Sequence, residues 1–237
     1  SVITETIEIN GKKVKETETH FDIDGNKTSS YGTEYDAEGN RTKRTRTSYD
    51  ADGNKTSSSV IELDANGNMT KTTQTYYDAD GNMKSSSVTE YEYDASGKRI
   101  KTNSSTYDAD GNKTSSSVSD LEYNTNGNKA KETKTSYDAN GNMTSSSVTE
   151  YDADGNIVRN ESMSTGYIWD KNKNVIGSAI TETIEIKGKM VRETRTYFDI
   201  DGNKTSSSVN EYEYDTDGNK IKETYTAYNA DGKVIRF

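Results

Sequence analysis

The sequence predicts an all-β chain, an antiparallel up-and-down meander of about 16 short strands built from 14–16-residue repeats. The sheet is expected to be elongated, either single-layered or solenoid-like. Three observations lead there. A six-residue phrase of turn chemistry recurs along the chain. The segments between these phrases are rich in Thr, Ser, Val and Tyr, with 17 tyrosines and no proline in 237 residues. The distance from one phrase to the next is mostly 14 residues and sometimes 16, a difference of two.

The phrase is Tyr49-Asp50-Ala51-Asp52-Gly53-Asn54, repeated closely as Tyr107-Asp108-Ala109-Asp110-Gly111-Asn112. An Asp at the first turn position can accept hydrogen bonds from the backbone two residues on, and Gly at the fourth tolerates positive φ. A type I turn followed by a left-handed Gly closes a hairpin with a bulge. Asp50, Asp52, Gly53 and Asn54, and likewise Asp108, Asp110, Gly111 and Asn112, are therefore expected to be structural turn residues. Equivalent Asp or Asn residues stand at 22, 36, 64, 78, 94, 124, 138, 152, 199, 215 and 229. A further copy at Asp170 has Lys173 in place of its glycine.

The segments between turns have strand chemistry. Lys131-Glu132-Thr133-Lys134-Thr135 alternates with strands of the type Lys113-Thr114-Ser115-Ser116-Ser117-Val118. Thr, Val and Tyr suit a pleated surface. Turn spacings are mostly 14 and sometimes 16, the longer ones from inserted pairs such as Glu92-Tyr93. Two extra residues keep every side chain on its face, whereas one would exchange the faces. With Asp50 opposite Asn54, the register expected is Tyr49 with Lys55 and Thr47 with Ser57. On the next hairpin it is Lys55 with Tyr77 and Ile61 with Lys71. Neither face then reads as apolar, which disfavours a sandwich.

A longer period lies above the short one. Residues 1–30 match 178–207 at 24 of 30 positions, an offset of 177. Thr4-Glu5-Thr6-Ile7-Glu8-Ile9 returns unchanged as Thr181-Glu182-Thr183-Ile184-Glu185-Ile186. Asn10-Gly11 and Lys187-Gly188 mark tighter two-residue turns. The chain reads as residues 1–177, one super-repeat with an irregular join at 156–177, followed by 178–237, the start of a second. This organisation is that expected of a portion of a longer repetitive protein.

Composition narrows the function classes. Hydrophobic residues make up 28% of the chain, too few for a thick core. The net charge of −10 disfavours nucleic acid and anionic membranes as partners. No apolar run is long enough to span a bilayer as a helix, so no membrane insertion is expected in this segment. There is no cysteine, hence no disulfide and no thiolate metal site.

The Tyr-Asp-x-x-Gly-Asn phrase of residues 107–112 resembles the YD (RHS-type) repeats of large bacterial surface and toxin-delivery proteins. The resemblance covers nearly the whole chain. It implies a wound β-sheet and an extracellular, bacterial cell-surface setting.

No catalytic, cofactor-binding or metal site is expected. The only histidine, His20, has Tyr197 as its counterpart in the second super-repeat. The carboxylates sit in equivalent turns, whereas acid–base catalysis needs unequal environments. Calcium is the competing reading of Asp50, Asp52 and Asn54, but each turn offers at most two carboxylates and a lysine such as Lys55 follows. The tyrosines Tyr49, Tyr77, Tyr107 and Tyr137, with Trp169, could stack on sugar rings. The expected role is a non-enzymatic extended stalk or adhesin. The alternatives are a carbohydrate-binding module using the Tyr rows and a calcium-stiffened stalk. Its partner is expected to be a host or cell-surface ligand, glycans included, with self-association also open.

Overall fold

A computed structural model describes residues 1–172 and 174–235, with Trp169 described by its backbone alone. Lys173, the residue that breaks the Asp170 turn pattern, lies outside the described residues. The chain is all-β: 17 antiparallel strands in one open sheet, with no helix among the described residues. It divides into two compact units, residues 1–117 and 118–237.

The first unit holds β1 (Val2–Ile9), β2 (Lys12–Phe21), β3 (Lys27–Tyr35), β4 (Arg41–Tyr49), β5 (Lys55–Leu63), β6 (Met69–Tyr77), β7 (Met83–Tyr93) and β8 (Arg99–Tyr107). It ends inside β9 (Lys113–Tyr123). The second holds the rest of β9, then β10 (Lys129–Asp138), β11 (Met143–Tyr151), β12 (Ile157–Trp169) and β13 (Val175–Ile186). It continues with β14 (Lys189–Asp199), β15 (Lys204–Tyr214), β16 (Lys220–Asn229) and β17 (Val234–Ile235).

Within each unit a strand touches only its neighbours in sequence. Among the described residues no second layer covers either face, so each unit is a single-layered sheet. Among the described residues no large side chain is fully buried, and only Leu121 and Ala227 are buried apolar residues. The remaining buried side chains are small and polar: Thr47, Ser58, Ser207 and Ser208. Backbone ladders and cross-strand pairs therefore carry the stability that a core supplies elsewhere.

The turns form as their chemistry dictates. Asp50 N–H donates to Asn54 C=O at 2.9 Å, and Gly53 N–H to Asp50 C=O at 3.1 Å. Gly53 has φ +84°, the left-handed conformation that closes the hairpin without a Cβ penalty. The two tighter turns take positive φ at both central residues, 51° and 74° at Asn10-Gly11 and 49° and 73° at Lys187-Gly188. This is the two-residue hairpin geometry expected of Asn-Gly.

The register corrects the sequence reading by one residue. Tyr49 faces Lys55 as expected, but Ser48 faces Ser57 and Thr47 faces Ser58. Ile61 faces Thr72, not Lys71. The cause is a bulge. Thr56 is an extra residue between Lys55 and Ser57 with no partner of its own, and the same irregularity recurs at the start of β3, β4, β6 and β7. The Thr56 hydroxyl donates to Ser48 C=O at 3.2 Å. Thr28 bonds His20 C=O and Thr205 bonds Tyr197 C=O in the same way, at 3.2 and 3.1 Å. At these three places the threonine after Asn-Lys occupies a carbonyl that the bulge leaves beside it, whereas Thr114 meets the Thr106 hydroxyl at 2.8 Å.

One bulge per strand exchanges the faces near one end. Tyr49 and Tyr77 lie on one face at one edge of the first unit, while Tyr35 and Leu63 lie on the opposite face at the other edge. It also builds a charge ladder. Lys15, Glu34, Lys43, Glu62, Lys71 and Glu90 stand opposite one another in succession across β2–β7, alternating in sign at every step. Opposite charges facing each other across strands stabilise a pairing, and like charges oppose it.

Candidate functional site

The expected turn residues share one hydrogen-bond pattern. Asp50 Oδ1 accepts from the Asp52 and Asn54 amides at 3.0 and 2.8 Å, and Oδ2 accepts from Asn54 Nδ2 at 3.3 Å. Asp108 does the same with Asp110 and Asn112, at 3.0, 2.8 and 3.3 Å. Both oxygens of the first carboxylate are thus engaged inside the turn. The Asn112 backbone N–H, opposed by partial burial and aided by the Asn112 side chain, holds the Asp108 carboxyl below the usual aspartate range. Asp152 and Asp199 are lowered in the same way, with the Asn156 and Asn203 amides as the main cause. In the turn that begins at Asn124, the amide oxygen accepts the same two backbone bonds, both at 3.0 Å. The motif needs an acceptor and not a charge.

The tyrosine rows are engaged by lysines. The Lys27 ammonium stands 4.4 Å from the Tyr49 ring centre, and Lys55 stands 4.2 Å from that of Tyr77 while donating to its hydroxyl at 2.9 Å. These are cation–π contacts between strands that the bulge brings to the same face. Other rows use the phenol as a strap: Tyr93 OH donates to Met69 C=O and Tyr214 OH to Met190 C=O, each at 2.8 Å. Of the other tyrosines singled out for ligand stacking, Tyr107 faces Ser86 and Tyr137 faces Met143. Trp169 pairs by backbone with Val175, and its side chain lies outside the described structure. The singled-out residues thus spread along the edges and are not gathered into one pocket.

Two features were not visible in the sequence. Glu132, on β10, is a polar hub. It accepts from Lys129 Nζ at 2.9 Å, from Tyr151 OH at 3.3 Å and from Ser119 Oγ at 3.4 Å, and it pairs with Lys134 at 2.8 Å. Burial opposes its ionisation, but the hydrogen bonds from Lys134 and Lys129 outweigh that, and its pKa falls to about 2. The second feature is a shallow groove of about 530 Å³ on one face of the first unit, lined among others by Tyr31, Arg44, Arg46, Ser59, Ile61 and Gln74. The Arg46 guanidinium lies 5.4 Å from the Tyr31 ring centre. β10 and β14 pair Glu132 with Lys134 and Glu193 with Arg195, whereas β4 has Arg44 at the place of the glutamate. Arg44, Glu132 and Glu193 hold the same place, six residues before Asp50, Asp138 and Asp199.

His20 fills an aromatic slot near a strand end. Its ring meets Tyr31 edge-on with centres 5.3 Å apart, and its Nε2 lies 2.5 Å from Glu18 Oε1. Among the described residues no three His, Cys, Asp or Glu side chains cluster as metal ligands would.

No family model matches the chain, and no curated protein matches it. Among solved structures, the chain is similar to a porin-like protein from Bacteroides uniformis, at 14% identity and a TM-score of 0.30, over 84% of this chain and 95% of that one. It is also similar to the TcdB2-TccC3 structure, at 11% identity and a TM-score of 0.19, over 98% of this chain and 18% of that one. A third likeness is to the Photorhabdus luminescens Tc holotoxin pore, at 11% identity and a TM-score of 0.13, spanning 19% of that chain. All three scores lie below 0.5, too low to carry a function to this chain.

Proposed function

We propose that the chain is a non-enzymatic, repetitive stalk or adhesin segment of a bacterial cell surface, acting outside the cell. The observation that supports this reading is how fully its chemistry-bearing residues are engaged in joining one strand to the next. The Asp or Asn that opens each recurring turn caps its own hairpin. Bulge threonines occupy neighbouring carbonyls, Lys and Glu alternate in a ladder, and lysines cover Tyr49 and Tyr77. Such a design extends by repetition, because each hairpin needs only its neighbours. Repetition also shows one weak contact many times, which raises avidity. The partner in this reading is a surface ligand, glycans included.

The test is to place the chain between a cell-surface anchor and a reporter epitope, with one, two or three tandem copies. A stalk raises the binding of a bulky antibody to the epitope with each copy. Access that is independent of copy number would reject the reading.

A further inference from the structure

We infer that β1 is an acceptor edge for a strand of β12 chemistry, added antiparallel in the register that β12 holds on β13. This goes beyond the stalk reading and stands on the internal duplication alone. Thr4–Ile9 of β1 is identical to Thr181–Ile186 of β13. The two copies are also paired identically on their inner side. Ile7 faces Lys15 as Ile184 faces Arg192, and Glu8 faces Lys13 as Glu185 faces Met190, with the same bulge between them.

The outer sides differ. β13 carries β12 along its whole length, with Glu161 opposite Ile184, Ser162 opposite Thr183 and Thr165 opposite Ile180. β1 has β2 on one side and no second partner within its unit. Every residue of β1 is exposed, and Val2, Ile3, Ile7 and Ile9 each show more than half of their surface, at 53, 53, 54 and 58%. In β13 the residues from Ala179 to Ile186 are half-buried except Glu182 and Ile186. A β12-type partner accounts for that difference.

The edge has few of the usual defences, its only charges being Glu5 and Glu8. It is eight residues long and contains no lysine and no proline. An extended strand added there gains main-chain hydrogen bonds, and alternate side chains set the register. The occupant must present a small hydroxyl opposite Thr6, as Ser162 meets Thr183 with oxygens 2.6 Å apart. It must also leave room beside Val2, as Gly166 does beside Ala179. A further block of the same repeat meets these conditions.

The test uses the full chain and a labelled synthetic peptide of residues 157–169, followed by fluorescence anisotropy and hydrogen exchange. The expected result is saturable binding, with amide exchange in Val2–Ile9 slowed at least 10-fold and no comparable protection elsewhere. A scrambled peptide should not bind. Ile3→Lys, which places a cation on the edge as protected edges have, should weaken binding at least 10-fold. Since that variant could also loosen β1 from β2, the scrambled peptide is the control that leaves the chain untouched. Equal binding of the scrambled peptide, protection at another edge, or no protection at β1 would overturn the inference. So would protection of β1 in the chain alone at high concentration, which would assign the edge to self-association of β1 strands.

Discussion

Thr56 donates its hydroxyl to the carbonyl of Ser48 across the bulge that opens β5, at 3.2 Å. Thr56→Val keeps the shape and removes the donor. The expected loss is about 1 kcal/mol, the usual net worth of one such bond. Thr56→Ser should recover most of it. Chemical denaturation of the three proteins checks this. The loss should stay modest, because Lys84 stands at the same place in β7 without a hydroxyl donor of this kind.

Glu62 lies between Lys43 and Lys71 in the charge ladder. Glu62→Lys would set three cations in a row on adjacent strands, and directly facing like charges oppose pairing by up to about 1 kcal/mol each. The midpoint of thermal unfolding should fall at 50 mM salt and recover in part at 1 M, where screening acts within about 3 Å. A loss that does not change with salt would point to packing and not to charge.

Much of the fold was legible in the sequence, and the reason is local. Asp50, Gly53 and Asn54 dictate their turn from within the turn, so reading six residues is enough. The 14- and 16-residue spacings kept face parity visible for the same reason. The register was not legible, because the bulge at Thr56 leaves no mark beyond a threonine, a residue common along these strands. The ladder from Lys15 to Glu90 and the Arg44–Arg46 groove depend on that register and were hidden with it. Glu132 was hidden as well, since its partners include Tyr151 on the next strand and Ser119 on the preceding one.

The turn carboxylates give stability a pH dependence with a definite sign. Asp108, Asp152 and Asp199 are lowered in the fold, so their contribution is present above the unfolded aspartate pKa of about 3.9. It is lost as pH falls through the folded values. The unfolding midpoint should therefore be nearly flat from pH 7 to 5 and fall below about pH 4. Asp108→Asn should fold normally, as the Asn124 turn does, and should shed part of the acid sensitivity. Asp108→Ala should be less stable than Asp108→Asn at neutral pH.

Gly177 begins the segment of β13 that faces the end of β14, and a Cβ there would lie 2.3 Å from the Phe198 carbonyl oxygen. Gly177→Ala forces backbone apart. It should speed amide exchange in β13 and β14 while leaving β2–β6 unchanged, which hydrogen exchange with mass spectrometry would resolve.

The central claim is that stability is held between neighbouring strands and not in a shared core, and Gly53→Val tests it most directly. Gly53 has φ +84° with nothing within 4 Å of a Cβ placed there, so the substitution acts through strain in the turn backbone and not through crowding at Cβ. A β-branched residue resists that conformation. Residue-resolved hydrogen exchange should show faster exchange in β4, β5 and their immediate neighbours, with β7, β8 and the second unit at wild-type rates. A uniform acceleration across every strand, with a single shared unfolding transition shifted as a whole, would contradict the account.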